Sequence, residues 1–472
     1  MTWLLLVALP VASALAVWTT RAASRASTVL LVTTAMTSIV AIGHAALPAV
    51  SPFLEGYVHG DATVQLFAPV VNVIFAGVAV YVRARVAIEP ASRRFVFLAL
   101  AFLAGSNLAL LSNHLLLMWI GLEATTLAAA LLIVRADAPS SRLASWRYLL
   151  FSSVGLGLVL LGLSCLTRSM ELSGREATLF LDAMPAAVAH PADAWRQLGV
   201  ALVILGIGTK LGLAPMYSWL PEAYDESPAP VTAILGAVQF NTALVFLFRI
   251  VSVYRPGSGE LITGALLTIG LTSVGISTAS IVATRNFKRL LAYASINHAG
   301  VIAIGLGLGS SASFGVLLYV LSNAFIKAIL FLTAGKIEAH YNTKDTKAIA
   351  GLIKDLPFSG LFLMVGTFAL LGFPPFGSFL GELLILSALV TSGQMFVFAT
   401  FCMLITVSFV ATGRTIFPMI WGEPKQARTW PPQRVTGALH KLIFLVLLLV
   451  LGIYIPPQLN ALITQVARTL EP

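Results

Sequence analysis

Charge is what this sequence has least of. Asp, Glu, Lys and Arg make up 10% of its 472 residues, where a soluble globular protein carries roughly 25%. No polar stretch is long enough to fold as a soluble domain. Cysteine is nearly absent too. Cys165 and Cys402 lie far apart in apolar segments, with no CxxC between or around them. An iron–sulfur or nickel–iron centre ligated by this chain alone is therefore excluded. HExxH, Walker and GxSxG patterns are missing, so no metal, nucleotide or covalent chemistry is signalled. The glycine run GLGLGSS at 305–311 follows an apolar span instead of opening a phosphate-binding helix, and it reads as a loop. These absences argue against an oxidoreductase in its own right, and no cofactor is expected.

What is present is hydrophobic. Apolar residues form 58% of the chain and mean hydropathy is +0.92. A membrane span needs about 20 apolar residues. That rule gives spans near 2–20, 28–47, 65–83, 95–111, 113–134, 147–167, 197–219, 228–252, 260–284, 290–308, 312–335, 358–390, 393–420 and 437–460. The expected fold is an all-α polytopic membrane protein of about fourteen helices, with a tight turn at Ser112–Asn113. The N-terminal VASALA resembles a signal peptide, but the basic residues Arg21 and Arg25 follow the apolar run instead of preceding it. A retained first helix is the reading.

The net charge of +10 fits the positive-inside bias of a membrane protein better than nucleic-acid binding. Counted on alternate sides, the loops that include Arg83–Arg94, Arg135–Arg147, Arg285–Arg289, Lys336–Lys354 and Arg414–Lys441 hold 21 Lys and Arg with Arg21 and Arg25, against six on the other side. The rule places the larger set in the cytoplasm, both termini outside, and the chain in the inner (cytoplasmic) membrane. The acidic segment 221–227, PEAYDES, resists the pattern as a cytoplasmic loop. Trp119, Trp146, Trp195, Trp219, Trp421 and Trp430 fall near span ends, as an interfacial belt would. His340 and His440 read as loop residues.

Two spans are interrupted by Gly and Pro: GIGTKLGLAPMYSWLPEAY at 206–224 and LLGFPPFGSFLGELLIL at 370–386. Such breaks survive in a bilayer only where protein or water satisfies the freed backbone groups. Each carries an ionisable residue, Lys210 or Glu382. A matched pair of broken helices signals an inverted-repeat transporter, here with five-helix units. The expected division is 1–94 for helices 1–3, 95–257 and 258–420 for the two repeats, and 421–472 for the last helix.

Ionisable groups at membrane depth are costly and default to functional hypotheses. Glu123, Lys210, His298, Lys327 and Glu382 are the candidates for strong burial. Gln239, Asn241, Asn297, Ser322 and Asn323 are polar helpers, with Ser152, Ser153 and Ser295 beside them. Glu123 and Lys210 suit a buried ion pair, read either as structural glue or as a switch. In a switch, a carboxylate that approaches and withdraws makes the lysine hold and release a proton. His298 is either a relay or a hydrogen-bonded core residue. Four alternating charges along a midplane suggest a proton path.

EATTLAAALL, GTKLGLAPMYSWLPEAYDESPAPVTAIL, FKRLLAYASINHAGVIAIGLGLG, NAFIKAILFLTAGKI and GFPPFGSFLGELLIL together resemble the antiporter-like membrane subunits of respiratory complex I, over roughly residues 60–455. Component F of hydrogenase-4 and similar subunits of membrane-bound hydrogenases look nearest. The resemblance implies fourteen helices, two inverted five-helix repeats and proton translocation. It carries over to Glu123 as the helix-5 carboxylate, Lys210 on broken helix 7, Lys327 on helix 11 and Glu382 on broken helix 12. His298 matches a site that is often His in hydrogenase-type members. Asn241 stands where many relatives have lysine and Asn323 where histidine is common. Tyr217, Glu222 and Tyr224 replace the His, Asp and His of the H-x-W-L-P-D-A-H motif, which leaves the uptake path open. The chain stops soon after helix 14, without a long lateral helix.

The function expected is a proton-translocating subunit of a multi-subunit redox complex, partnered by other membrane subunits and a peripheral redox arm, in a lipid bilayer and without nucleic acid. The rival is a subunit of a multi-chain Na⁺/H⁺ antiporter, or a proton-driven partner of an inorganic-carbon uptake system.

Overall fold

The computed structural model describes residues 2–19, 23–47, 50–85, 92–188, 193–423 and 438–470. Arg21, Lys425, Arg428, Trp430 and Arg434, which entered the readings above, lie outside the described residues.

A 3-10 turn at Thr2–Leu4 precedes α1 (Leu5–Val17) and α2 (Ala23–Ala45). The antiparallel pair β1 (Val50–Phe53) and β2 (Val58–Gly60) leads into α3 (Ala62–Arg85), α4 (Arg93–Leu111), α5 (Leu115–Ile133) and α6 (Ser140–Leu172). The one-turn α7 (Met184–Ala187) is followed by α8 (Ala194–Leu211), α9 (Trp219–Glu226), α10 (Ala229–Ala233), a π-helical turn at Ile234–Gln239, and α11 (Phe240–Ala283). Then come α12 (Phe287–Leu308), α13 (Ser310–Tyr341), α14 (Leu352–Asp355), α15 (Pro357–Leu370), α16 (Gly377–Thr391), α17 (Met395–Trp421), α18 (Leu439–Ile453) and α19 (Pro457–Thr469).

Among the described residues, nine helices are long and apolar enough to cross a membrane, or ten if α18 and α19, bent by 74°, form one span. The count differs from fourteen for physical reasons. The expected spans 228–252 and 260–284 form one helical run, Ala229–Ala283, bent where Pro256 precedes the non-helical Ser258. The break after Leu370 leaves two shorter apolar helices, α15 and α16, the break after Leu211 leaves the short α9 beyond it, and the first expected span is the shorter helix Thr2–Val17.

Several expectations are corrected. The 305–311 run is helical except at Gly309, whose φ of 75° divides α12 from α13. His340 and His440 are helical, and His440 is buried. Trp219 is not interfacial. It is buried, donates from Nε1 to the Thr209 carbonyl at 2.9 Å, and packs edge-on against Tyr148 and Tyr224. Lys288 and Lys441, counted with the basic loops, are buried at the starts of α12 and α18.

The acidic segment 221–227 is mostly the helix α9, and its position explains why it breaks the charge pattern. Asp225 meets Arg289 and Lys344, each at 2.9 Å. Glu222 pairs with Arg147, and Glu226 lies 3.5 Å from Lys344. Glu338 reaches Lys288 at 3.0 Å and Arg135 at 3.6 Å. All these cations belong to the larger basic set, so α9 sits on the same face of the bundle and is held there by it. On the opposite face the loops are stitched by backbone bonds, Asn113 to Tyr57 and Leu181 to Asn113, both at 2.8 Å. Asp61 caps α3 there, accepting from Val64 N–H at 3.0 Å, and pairs with Arg249 of α11.

Helices cross closely where side chains vanish. A Cβ on Gly206 of α8 would lie 2.5 Å from the Gly155 carbonyl oxygen of α6. This contact lets the two backbones touch, the usual way membrane helices pack without a hydrophobic driving force between them. It also brings the end of α8, which carries Lys210, against α6.

Candidate functional site

The site begins where α8 stops. Gly212 takes a left-handed conformation (φ 74°), and the N–H groups of Gly212 and Leu213 turn back to the Thr209 and Gly208 carbonyls. This satisfies helix-end acceptors that lipid could not. Lys210 lies in the last turn, where the helix dipole favours a cation. It is buried and donates to Thr126 Oγ of α5, with the Tyr148 hydroxyl at 3.4 Å.

Glu123 is half-buried instead of strongly buried. One carboxylate oxygen accepts from Ser153 of α6 at 3.1 Å, and the other has no hydrogen-bond partner. The expected Glu123–Lys210 ion pair is not formed. Thr126, three residues along α5 on the same helix face, takes the lysine instead. The two charges are thus held one helical turn apart.

Tyr148 carries the line onward. Gln239 Nε2 donates to its hydroxyl at 2.8 Å. Gln239 ends the π-helical turn, a distortion that often marks functional positions. The next residue, Phe240, presents its ring to Lys327, whose Nζ lies 3.8 Å from the ring centroid and has no hydrogen-bond partner. Adjacent residues therefore touch the Lys210 cluster on one side and Lys327 on the other.

Of the remaining helpers, Asn241 folds back onto the Ala237 carbonyl, Ser322 bonds the Leu318 carbonyl at 2.9 Å, and Asn297 reaches Thr278 at 3.4 Å. Both amide atoms of Asn323 are buried without a partner. His298 is bonded through Nδ1 to the Tyr319 hydroxyl, with the rings stacked 5.3 Å apart. These two residues, Asn297, Ser408, Thr412 and Glu382 line a cavity of about 30 Å³. That is room for water, with polar partners to hold it. Glu382 is half-buried, not strongly buried, and its carboxylate bends back over Gly372 in the second break.

The structure thus gathers the predicted residues into two clusters, Glu123/Lys210/Gln239 and His298/Glu382, with Lys327 joined to the first through Phe240. Sequence reasoning missed Thr126, Tyr148, Phe240 and Tyr319. Thr126 was findable from its three-residue spacing to Glu123. Phe240 carried no signal, because a phenylalanine in an apolar run looks like any other.

This arrangement is that of a polytopic membrane protein with a buried polar line through its interior. The chain belongs to the NADH:quinone oxidoreductase/Mrp antiporter transmembrane family, whose pattern it matches over residues 112–408. It is 32% identical over 381 residues to a hydrogenase-4 component F homolog of Methylacidiphilum infernorum, covering 79% of this chain and 78% of that one. Identity to the NADH-quinone oxidoreductase subunit N of Nitrosomonas europaea is 26% over 382 residues, 78% and 77% of the two chains. In fold it is similar to a chain of the archaeal membrane-bound sulfane sulfur reductase (TM-score 0.88, 24% identity, 99% and 97% covered). It is equally similar to a chain of the Mrp complex from Dietzia sp. DQ12-45-1b (TM-score 0.88, 21% identity, 99% and 97% covered).

Proposed function

We propose that this chain is the proton-translocating membrane subunit of a multi-subunit redox complex, moving protons along Glu123, Lys210, Lys327, His298 and Glu382. The observation that carries the reading is the pair of buried lysines on either side of Gln239–Phe240, neither of them ion-paired among the described residues. A buried cation without a counter-charge is costly, and exchange of a proton with a neighbour relieves the cost. Glu123, one turn from Thr126, is placed to draw Lys210 away and release it. Gln239, Tyr148 and Phe240 join the two halves where Asn241 replaces the family's usual lysine.

Fourteen crossings in two inverted units, 95–257 and 258–420, belong to the same proposal, with 1–94 and 421–472 flanking them. The two breaks support it. Residues 211–222, LGLAPMYSWLPE, and 371–382, LGFPPFGSFLGE, are identical at six of twelve positions. Gly212 and Gly372 share a left-handed backbone, with φ of 74° and 68°. The charged face that holds α9 would lie in the cytoplasm, with both termini outside an inner membrane. Other membrane subunits and a peripheral redox arm are the partners proposed, in keeping with the relatives' names.

The test is to purify the tagged chain in mild detergent, identify its companions by mass spectrometry and assay iron and nickel. Iron-bearing companions support a redox complex, and nickel with iron a hydrogenase. A preparation free of redox metal, active in Na⁺/H⁺ exchange, overturns the reading in favour of an antiporter.

A further inference from the structure

Lys441 and His440, at the start of α18, are as deeply buried as the residues of the proposed path. Lys441 is fully inaccessible and His440 is 1% exposed. Lys441 Nζ donates to Thr333 Oγ of α13 at 3.3 Å and lies 5.0 Å from the centre of the Phe362 ring of α15. Among the described residues no carboxylate pairs with it, and the segment before it, 424–437, contains no Asp or Glu. Both ring nitrogens of His440 are buried without a partner. Among the described residues one hydroxyl and one ring face are all that offset the cation, and no polar atom meets the imidazole nitrogens, so glue between helices is a poor account of them.

Their surroundings lead outward and inward. Outward, the His440 ring meets Tyr81 of α3 edge-on at 5.7 Å, and the Tyr81 hydroxyl accepts from Arg85 at 2.7 Å. Tyr81 and Arg85 line an open cleft of about 450 Å³, together with Glu338 and Arg135, on the charged face. Inward, Thr333 lies six residues from Lys327 on α13, a rise of about 9 Å. Between those levels Gly366 of α15 packs on Leu330, and the next residue, Thr367, has a buried hydroxyl with no partner. α15 ends at Leu370, which with Leu371 lines the Glu382 cavity.

We infer that His440 and Lys441 form a proton-loading site between the cleft on the charged face and Lys327. This rests on the proton-translocation reading above. The cleft admits water, His440 and Lys441 take the proton, and Thr333 and Thr367 offer hydroxyls on the way to Lys327. Among the described residues the groups facing the pair include Lys336 of α13, Tyr81 and Arg85 of α3, and Phe362 of α15, none of them acidic.

The test uses the purified complex in proteoliposomes, with proton flux driven by a potassium diffusion potential and read with a pH-sensitive dye. Lys441→Met and His440→Gln are each expected to lower flux per assembled complex at least tenfold, while Lys441→Arg recovers part of it. Wild-type flux per assembled complex in Lys441→Met, with only the melting temperature changed, overturns the inference and leaves a structural lysine. If Lys441→Met fails to assemble, His440→Gln decides by the same criterion. Glu123→Gln separates this inference from the parent reading. Flux lost in Glu123→Gln but kept in Lys441→Met removes the loading site alone, whereas flux kept in Glu123→Gln removes the path itself.

Discussion

Lys210 of α8 donates to Thr126 of α5 and not to Glu123, which stands three residues earlier on α5 and accepts from Ser153 of α6. The structure therefore holds the separated arrangement of a carboxylate and a lysine that one helical turn would bring together. In the proposed path, Thr126 competes with Glu123 for the ammonium, and the balance between them sets which residue keeps the proton.

If the proposed path holds, removing either charge ends the exchange. Glu123→Gln and Lys210→Ala are expected to abolish coupled proton transport and leave the chain folded and assembled. Thr126→Val shifts the balance instead. A hydrogen bond to a charged group is worth about 1.5–3 kcal/mol, so the lysine's preference changes by roughly tenfold to hundredfold. Proton flux in proteoliposomes checks all three. Full transport in both Glu123→Gln and Lys210→Ala would sink the assignment.

Phe240 is expected to support Lys327 through its ring face, an interaction worth roughly 0.5–2 kcal/mol. Phe240→Leu keeps the apolar volume and removes the face, so transport should fall severalfold, while Phe240→Tyr keeps most of it. Equal rates for Leu and Phe would show that the ring only fills space.

Asp225 ties α9 to the loops before α12 and after α13, accepting from Asn286 and pairing with Arg289 and Lys344. Its carboxylate is nearly buried. Asp225→Ala strands these partners and should lower stability by about 3 kcal/mol. Arg289→Ala, removing a half-exposed partner, should cost at most about 1 kcal/mol. Melting curves of the purified protein in detergent separate the two. A larger loss for Arg289→Ala contradicts the ranking.

Asp61 gives a pH dependence on the other face. Burial would raise its carboxyl, but the Arg249 guanidinium and hydrogen bonds from Arg249 and His59 outweigh this and hold it well below its ordinary 3.8. The unfolded chain therefore binds this proton before the folded chain does. The stabilisation is present above about pH 4 and is lost as the pH falls below it. Asp61→Asn should flatten that part of the curve. An unchanged acid limb in denaturation between pH 5 and 2 would count against it.

The class was legible in the sequence, and so were the ionisable residues proposed for the path. Spans were legible because lipid demands long apolar runs. Glu123, Lys210, His298, Lys327 and Glu382 were legible because each stands alone in such a run, and the breaks because Gly and Pro interrupt them. What the tertiary structure decided was who touches whom. Thr126 of α5 takes Lys210 from the last turn of α8, and Glu123 bonds Ser153 of α6. Phe240, the first residue after the π-helical turn, meets Lys327 of α13. Trp219 and Lys441 are interior although both sit near span ends, because neighbouring helices cover them. Hydrogen-bond partners and burial come from helices far apart in the chain, and no local pattern encodes the register between them.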